Sequence, residues 1–253
     1  MSNPLGTWTL FKRETKRFMK VWMQTIASPV FSNLLYFAIF GISLQRAVPI
    51  EGVSYLQFLV PGLIIMGMIT NSYLNPASSI MIMKYQGLIT DMMTIPLKHI
   101  EKFIAFTASA VIRSFIVGIV TLITASFFVS FDYHSIPLIL LSGFLVAFFF
   151  ACFGIIIGIW ADEFDRQNFV QTFVVTPLIF LGGVFYPVTK LPGIFQTLSR
   201  FNPMVYMIDL MRYGFTGVSE FAIGTSLLVL SLGTVAIAVA AYMLMRSGYK
   251  LQT

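Results

Sequence analysis

The sequence predicts an all-α integral membrane protein, and three observations carry that prediction. Of its 253 residues, 57% are hydrophobic and only 10% charged, against roughly a quarter charged in soluble domains. The charged residues leave uncharged runs at 21–45, 52–83, 114–131, 133–161, 167–189 and 221–245, and about 20 apolar residues suffice to cross a bilayer. The basic residues are unevenly shared between the two sides these runs define, as Lys and Arg are in membrane proteins.

Each element follows from this pattern. Residues 4–20 read as an amphipathic helix lying in the membrane interface: Trp8, Phe11, Thr15, Phe18 and Trp22 recur every three or four residues, while Lys12, Arg13, Lys16, Arg17 and Lys20 lie off that stripe. Such a helix sets its aromatic groups in the acyl boundary and its basic groups toward anionic headgroups. Spans are expected at 21–45, 53–80, 103–131, 136–160, 168–186 and 221–245. The third is the shortest uncharged run and extends N-terminally through Arg113. Pro29, Pro61 and Pro76 fall inside the first two spans, where freed carbonyls need a neighbour. Gly154 and Gly158 in "GIIIG" form a small-residue packing face in the fourth. Residues 187–220, broken by Pro187, Pro192 and Pro203, make pieces too short to span. No cleavable signal sequence is read at the N-terminus, so insertion through the protein's own spans is expected.

With the N-terminus inside, eleven basic residues fall on the cytoplasmic side, from Lys12 to Lys20, Lys84, Lys98, Lys102, Arg166, Arg246 and Lys250. Only Arg46, Lys190, Arg200 and Arg212 fall outside. Both termini are therefore expected in the cytoplasm, and the net charge of +6 is a topology signal rather than a nucleic-acid footprint.

Several chemistries are unsupported. The single Cys152 allows no intrachain disulfide or thiolate metal site, and His99 and His134 form no ligand-spaced motif. No Asp or Glu lies within the six cores, so ion coupling through a buried carboxylate has no candidate. None of the eight lysines follows a glycine, so no GxxxxGK[ST] nucleotide loop exists in the chain. Arg113, the one intramembrane charge, is expected to snorkel or to pair with a carboxylate such as Glu101 or Asp162. In the second span Asn71, Asn75 and Ser78 form a polar stripe that either bonds neighbouring helices or lines a substrate path.

Between Gly87 and Pro96 the segment carrying Leu88, Ile89, Asp91, Met92, Met93 and Ile95 is too short to span and too apolar for a free loop. Such a helix asks for a covering partner, or tucks against its own bundle. Charge introduced at Met92 or Met93 is expected to abolish partner binding.

Three stretches, "FLVPGLIIMGMITNSY" (58–73), "KYQGLITDMMTIPL" (84–97) and "TPLIFLGGVFYPVTKLPGIFQTLSRFNPMVYMIDLMRYGF" (176–215), resemble the ABC-2 type permeases, the membrane subunits of ATP-binding cassette exporters of drugs, lipid-linked glycans and nodulation-type factors. The resemblance implies one ABC-2 transmembrane domain over 1–253, with six spans, an interfacial helix, a cytoplasmic coupling helix and re-entrant helices between spans five and six. It implies that Leu88 to Ile95 dock on a separate ATPase, present in two copies beside a pair of permeases, a homodimer in the usual bacterial arrangement. ATP and Mg would sit on that partner and no cofactor on this chain. Spans two and five of both copies would line the path, setting Asn71, Asn75 and Ser78 opposite Thr172, Thr176 and Phe180. Phe185, Tyr186, Asn202, Pro203, Tyr206, Asp209 and Arg212 would form the outer gate, with Asp209 and Arg212 satisfying each other or neighbouring helix ends. The expected function is outward movement of an amphipathic or lipid-linked substrate across a bacterial inner membrane. A membrane enzyme or assembly factor with an outer-face site, or an uncoupled channel, is the competing expectation.

Overall fold

The computed structural model describes residues 3–44 and 53–250. The connection at 46–52, with Arg46, lies outside the described residues. These residues contain helices and turns and no strand. Helix α1 (Pro4–Lys20) is capped by Asn3, whose side chain accepts from the Gly6 amide at 2.9 Å, with Pro4 at the first helical position, where a missing N–H costs nothing. A π-turn (Met23–Ala27) leads into α2 (Ser28–Leu44). Helix α3 (Tyr55–Tyr85) starts at a reciprocal capping box between Ser54 and Gln57 and runs 31 residues through Pro61 and Pro76. That length, about 46 Å at 1.5 Å per residue, exceeds the hydrocarbon core, and it carries the helix five residues past the expected end.

The short α4 (Ile89–Thr94) is followed by α5 (His99–Ser126), α6 (Ile136–Trp160), α7 (Phe164–Val170), a second π-turn (Gln171–Val175) and α8 (Thr176–Leu181). After the turn at Gly182 and Gly183 come a 3₁₀ turn (Val188–Lys190), α9 (Gly193–Phe201), α10 (Pro203–Thr216) and α11 (Ile223–Ser247). Each π-turn ends two residues before a proline, Pro29 or Pro177. The proline cannot donate to the turn before it, and a widened turn absorbs the mismatch.

Among the described residues, five helices are long and apolar enough to cross a membrane: residues Met23–Phe40 and helices α3, α5, α6 and α11. The expected fifth span differs. Its helical residues are 164–181 rather than 168–186, its first two turns carry Asp165, Arg166, Gln167 and Asn168, and it is not among the five.

Helix α3 is the axis of the fold, packed along α5, α6, α2 and α10. In its most apolar stretch 78% of residues are buried within the protein, against 22% for the first span and 17% for α11. The outer faces of those two helices are therefore left for lipid or another chain. Gly154 and Gly158 pack on α3 as the small-residue face predicts: a Cβ on Gly154 would lie 2.2 Å from the Tyr73 carbonyl oxygen, and one on Gly158 would lie 3.1 Å from Ala77.

Candidate functional site

Three regions hold the candidate residues. At the end of the bundle where α3 leads into α5, α4 has two faces. Ile89 and Met92 are buried in a cluster with Leu10, Met83, Phe103 and Phe106, and Met93 packs against it. Leu88 and Ile95 are exposed, 46% and 37%, and Asp91 joins them on the outward face. The buried Lys102 ammonium donates to the Met93 carbonyl at 2.9 Å, a cation at the C-terminal end of the helix. The covering expected of a partner is thus divided: Ile89 and Met92 are covered by the chain itself, and a charge at Met92 would unseat the helix rather than block docking. Near it, Lys84 donates to the carbonyls of Ile159 and Ala161. Lys250 bonds Asp162 at 2.6 Å, and that bond holds the Asp162 carboxyl below its usual range.

The second region is a buried polar network between α1, α3 and α5. Arg113 donates to Asn71 Oδ1 from Nε at 3.1 Å and from Nη2 at 2.9 Å, and to Asn75 Oδ1 at 3.5 Å. Asn75 in turn donates to Ser109 at 3.1 Å. The expected pairing of Arg113 with Glu101 or Asp162 is incorrect. Glu101 accepts from the amides of Asn3 and Lys98, at 2.6 and 2.7 Å, and Asp162 is taken by Lys250 and Arg166. The polar stripe is therefore an interhelical bonding surface at Asn71 and Asn75, both at most 1% exposed.

Helix α1 is turned differently from the interfacial expectation. Trp8 remains exposed and stacks on Phe11 at 5.1 Å, and Lys12 and Lys16 face outward. Phe18, however, is fully buried under protein. Glu14, only 1% exposed, accepts from Arg13 at 2.9 Å, from Arg17 at 3.1 Å and from Ser79 at 2.6 Å. Arg17 reaches on into α3, donating to the Asn75 carbonyl at 2.7 Å, its Oδ1 at 3.0 Å and Ser78 at 3.4 Å. Two of the five basic groups assigned to headgroups thus turn toward a buried carboxylate, because leaving it unpaired away from water would cost several kcal/mol. Sequence reasoning missed Glu14. The available signal was that it is the one acidic residue of 4–20.

The third region joins the N-terminal half of α3 to residues 176–221. Thr176 and Phe180 line a cavity of about 310 Å³ with Ser32, Asn33, Tyr36, Thr70 and Gln171, and no carboxylate, imidazole, lysine or arginine is among its lining residues. Thr172 is exposed outside it. Asn71, Asn75 and Ser78 do not share this cavity; the residue of α3 that does so from the stripe's edge is Thr70. Phe185 stacks on Phe180 at 5.3 Å, and Tyr186 donates to the Phe180 carbonyl at 2.9 Å. Asn202 caps α10 through the Met204 amide at 3.0 Å and ties back to the Leu178 carbonyl at 2.7 Å, with Pro203 opening the helix. Tyr206 donates to the Arg200 carbonyl at 2.8 Å.

Asp209 and Arg212 are not bonded to each other; each holds backbone of a link that lies beside a helix. Asp209 accepts from the amides of Glu220 and Phe221, at 2.8 and 3.3 Å, just before α11. Arg212 donates to the Gly183 carbonyl at 2.7 Å, just after α8. Helix α10 is buried along most of its length, whereas α9 exposes Ile194, Phe195, Leu198 and Phe201.

The family model described as ABC-2 type transporter matches residues 6–216. The chain is 39% identical to the inner membrane transport permease YadH of Escherichia coli (strain K12) over 246 residues, 97% of this chain and 96% of the relative. It is 27% identical over 219 residues to nodulation protein J of Rhizobium meliloti (strain 1021), covering 83% of this chain and 82% of that protein. A match on this scale, on a bundle with five membrane-length helices, makes this a multi-pass inner-membrane transporter subunit, and the chain belongs to the ABC-2 type transporter family.

Proposed function

We propose that this chain is the permease half of an exporter that moves an amphipathic or lipid-linked substrate outward, driven by ATP hydrolysed on a separate subunit that also holds Mg. Two copies of the chain work with two ATPase subunits. Residues 164–181 complete a sixth span, and both termini lie in the cytoplasm, in keeping with the basic-residue bias.

The observation that carries this reading is the two-faced α4. Its inward side is locked by Ile89, Met92 and the Lys102 bond to Met93, and its outward side presents Leu88, Asp91 and Ile95. A rigid knob of that kind receives a push from a docked subunit and passes it to α3 and α5 as a body movement. The chain supplies no nucleotide loop of its own, so the work comes from outside it. The neutral amide, hydroxyl and aromatic lining around Thr176, Phe180 and Thr70 suits an uncharged polar group carried on an apolar body. Phe185 and Tyr186, which pack on and bond to Phe180, would form the outer gate with Asn202, Pro203, Tyr206, Asp209 and Arg212.

The test is co-expression with the ATP-binding cassette subunit encoded beside this chain, purification of the complex, and ATPase assays against neutral amphiphiles and glycolipids. A stable complex whose turnover responds to one class supports the reading. Recovery of the chain without the ATPase overturns it.

A further inference from the structure

Both prolines inside α3 are attended by an arginine that comes from another element. Pro76 has no N–H to give its helix and its ring crowds the preceding turn, so the backbone is weakened there. The carbonyl of Asn75, the residue before it, accepts from Arg17 Nη2 at 2.7 Å, and the same guanidinium holds the Asn75 amide oxygen and the Ser78 hydroxyl. Arg17 is oriented by Glu14, which also accepts from Ser79 on the far side of the proline. Near Pro61, Arg212 lies 3.6 Å over the Phe58 ring, donates to the Phe58 carbonyl at 3.4 Å and fixes Gly183.

The two clasps differ in what they attach α3 to. Arg212 ties the outer proline to α10, which is buried in the bundle. Arg17 ties the inner proline to α1, a helix packed mainly on α5, with Trp8, Lys12 and Lys16 facing outward. Fifteen residues separate the prolines, about 22 Å of helix, so they lie toward opposite faces of the membrane core.

We infer that Arg17, oriented by Glu14, is a positioning residue that sets the bend of α3 at Pro76, so that the cytoplasmic end of the central helix follows the interfacial helix α1. The α3–α4 corner then moves relative to the outer half of α3, which Arg212 keeps in place. This goes beyond the proposed export function and stands or falls without the ATPase.

The experiment uses the full chain in lipid nanodiscs. Spin labels are placed on cysteines at Tyr85, beyond Pro76 and exposed, and at Ile119, on the exposed face of α5. Labelled chain is diluted with unlabelled chain so that only intrachain distances are read by double electron–electron resonance, and the buried Cys152 stays unlabelled while the fold is intact. The wild type gives one narrow distance. Arg17→Gln broadens or splits it, and adding Pro76→Ala to Arg17→Gln restores a narrow distribution because a continuous helix needs no clasp. Arg212→Gln leaves the distance unchanged. Should Arg17→Gln fail to fold, Arg17→Lys, which keeps the charge but gathers its donors on one nitrogen and so cannot span Glu14, Ser78 and Asn75 as the guanidinium does, takes its place. An unchanged distribution in the Arg17 variant overturns the inference, as does broadening that persists in the Pro76→Ala background or that Arg212→Gln reproduces.

Discussion

Arg113 and Asn71 meet across the α3–α5 interface through two hydrogen bonds to one amide oxygen, at 2.9 and 3.1 Å, and both side chains are buried. A neutral interhelical bond in a membrane bundle contributes only about 0.6 kcal/mol. This one has a charged donor with little access to water, and losing its acceptor leaves the guanidinium only the long contact to Asn75 at 3.5 Å. Asn71→Leu is expected to destabilise the protein by about 2–3 kcal/mol. Arg113→Met combined with Asn71→Leu should cost less than the sum of the two single changes. The buried Cys152, the chain's one thiol, reports this directly through the temperature at which it reacts with a thiol-specific dye.

The division of α4 predicts that two substitutions one turn apart behave oppositely. Leu88→Asp should abolish recovery of the ATPase subunit with the permease while leaving the temperature of Cys152 exposure unchanged. Met92→Asp, placing a charge in the cluster of Leu10, Phe103 and Phe106, should lower that temperature.

Gly154 is a packing site at which one methyl group matters. A Cβ there would meet the Tyr73 carbonyl oxygen at 2.2 Å, whereas one on Gly193 would meet nothing within 4 Å. Gly154→Ala is expected to destabilise the α3–α6 contact by about 1–3 kcal/mol, the usual range for overpacking. Gly193→Ala should leave thermal exposure of Cys152 unchanged.

Asp209 holds the link into α11 through two backbone amides, and Glu220 in that link bridges Arg212 and the Thr189 amide. Asp209→Ala should free the link, at a cost of about 1–3 kcal/mol for the buried donors it abandons. Protease added to the purified protein would then cut between residues 217 and 222 faster than in wild type, and Asp209→Asn, which keeps an acceptor, would recover part of the protection.

Much of this architecture is legible in the sequence because it is written in local patterns. Uncharged runs mark α3, α5, α6 and α11, Gly87 and Pro96 bracket α4, and Asn202-Pro203 divides α9 from α10. What was not legible depends on contacts between distant residues. The stripe of Trp8, Phe11 and Phe18 predicts the helix α1 but not its rotation, which is set by Glu14 meeting Ser79, 65 positions away. The polar stripe of α3 is visible as a pattern, yet its direction is decided by Arg113 on α5 and Arg17 on α1. The polar start of residues 164–181 and the π-turn before Pro177 account for the fifth span differing from the run that predicted it.

The central claim is that α4 delivers the work of a separate ATPase to this permease. A photo-crosslinking amino acid placed at Leu88, and in a second protein at Ile194 on the exposed face of α9, tests it in cells expressing both subunits. The account predicts a covalent adduct with the ATPase from Leu88 and none from Ile194, and an absent adduct at Leu88 or an equal one at Ile194 would contradict it.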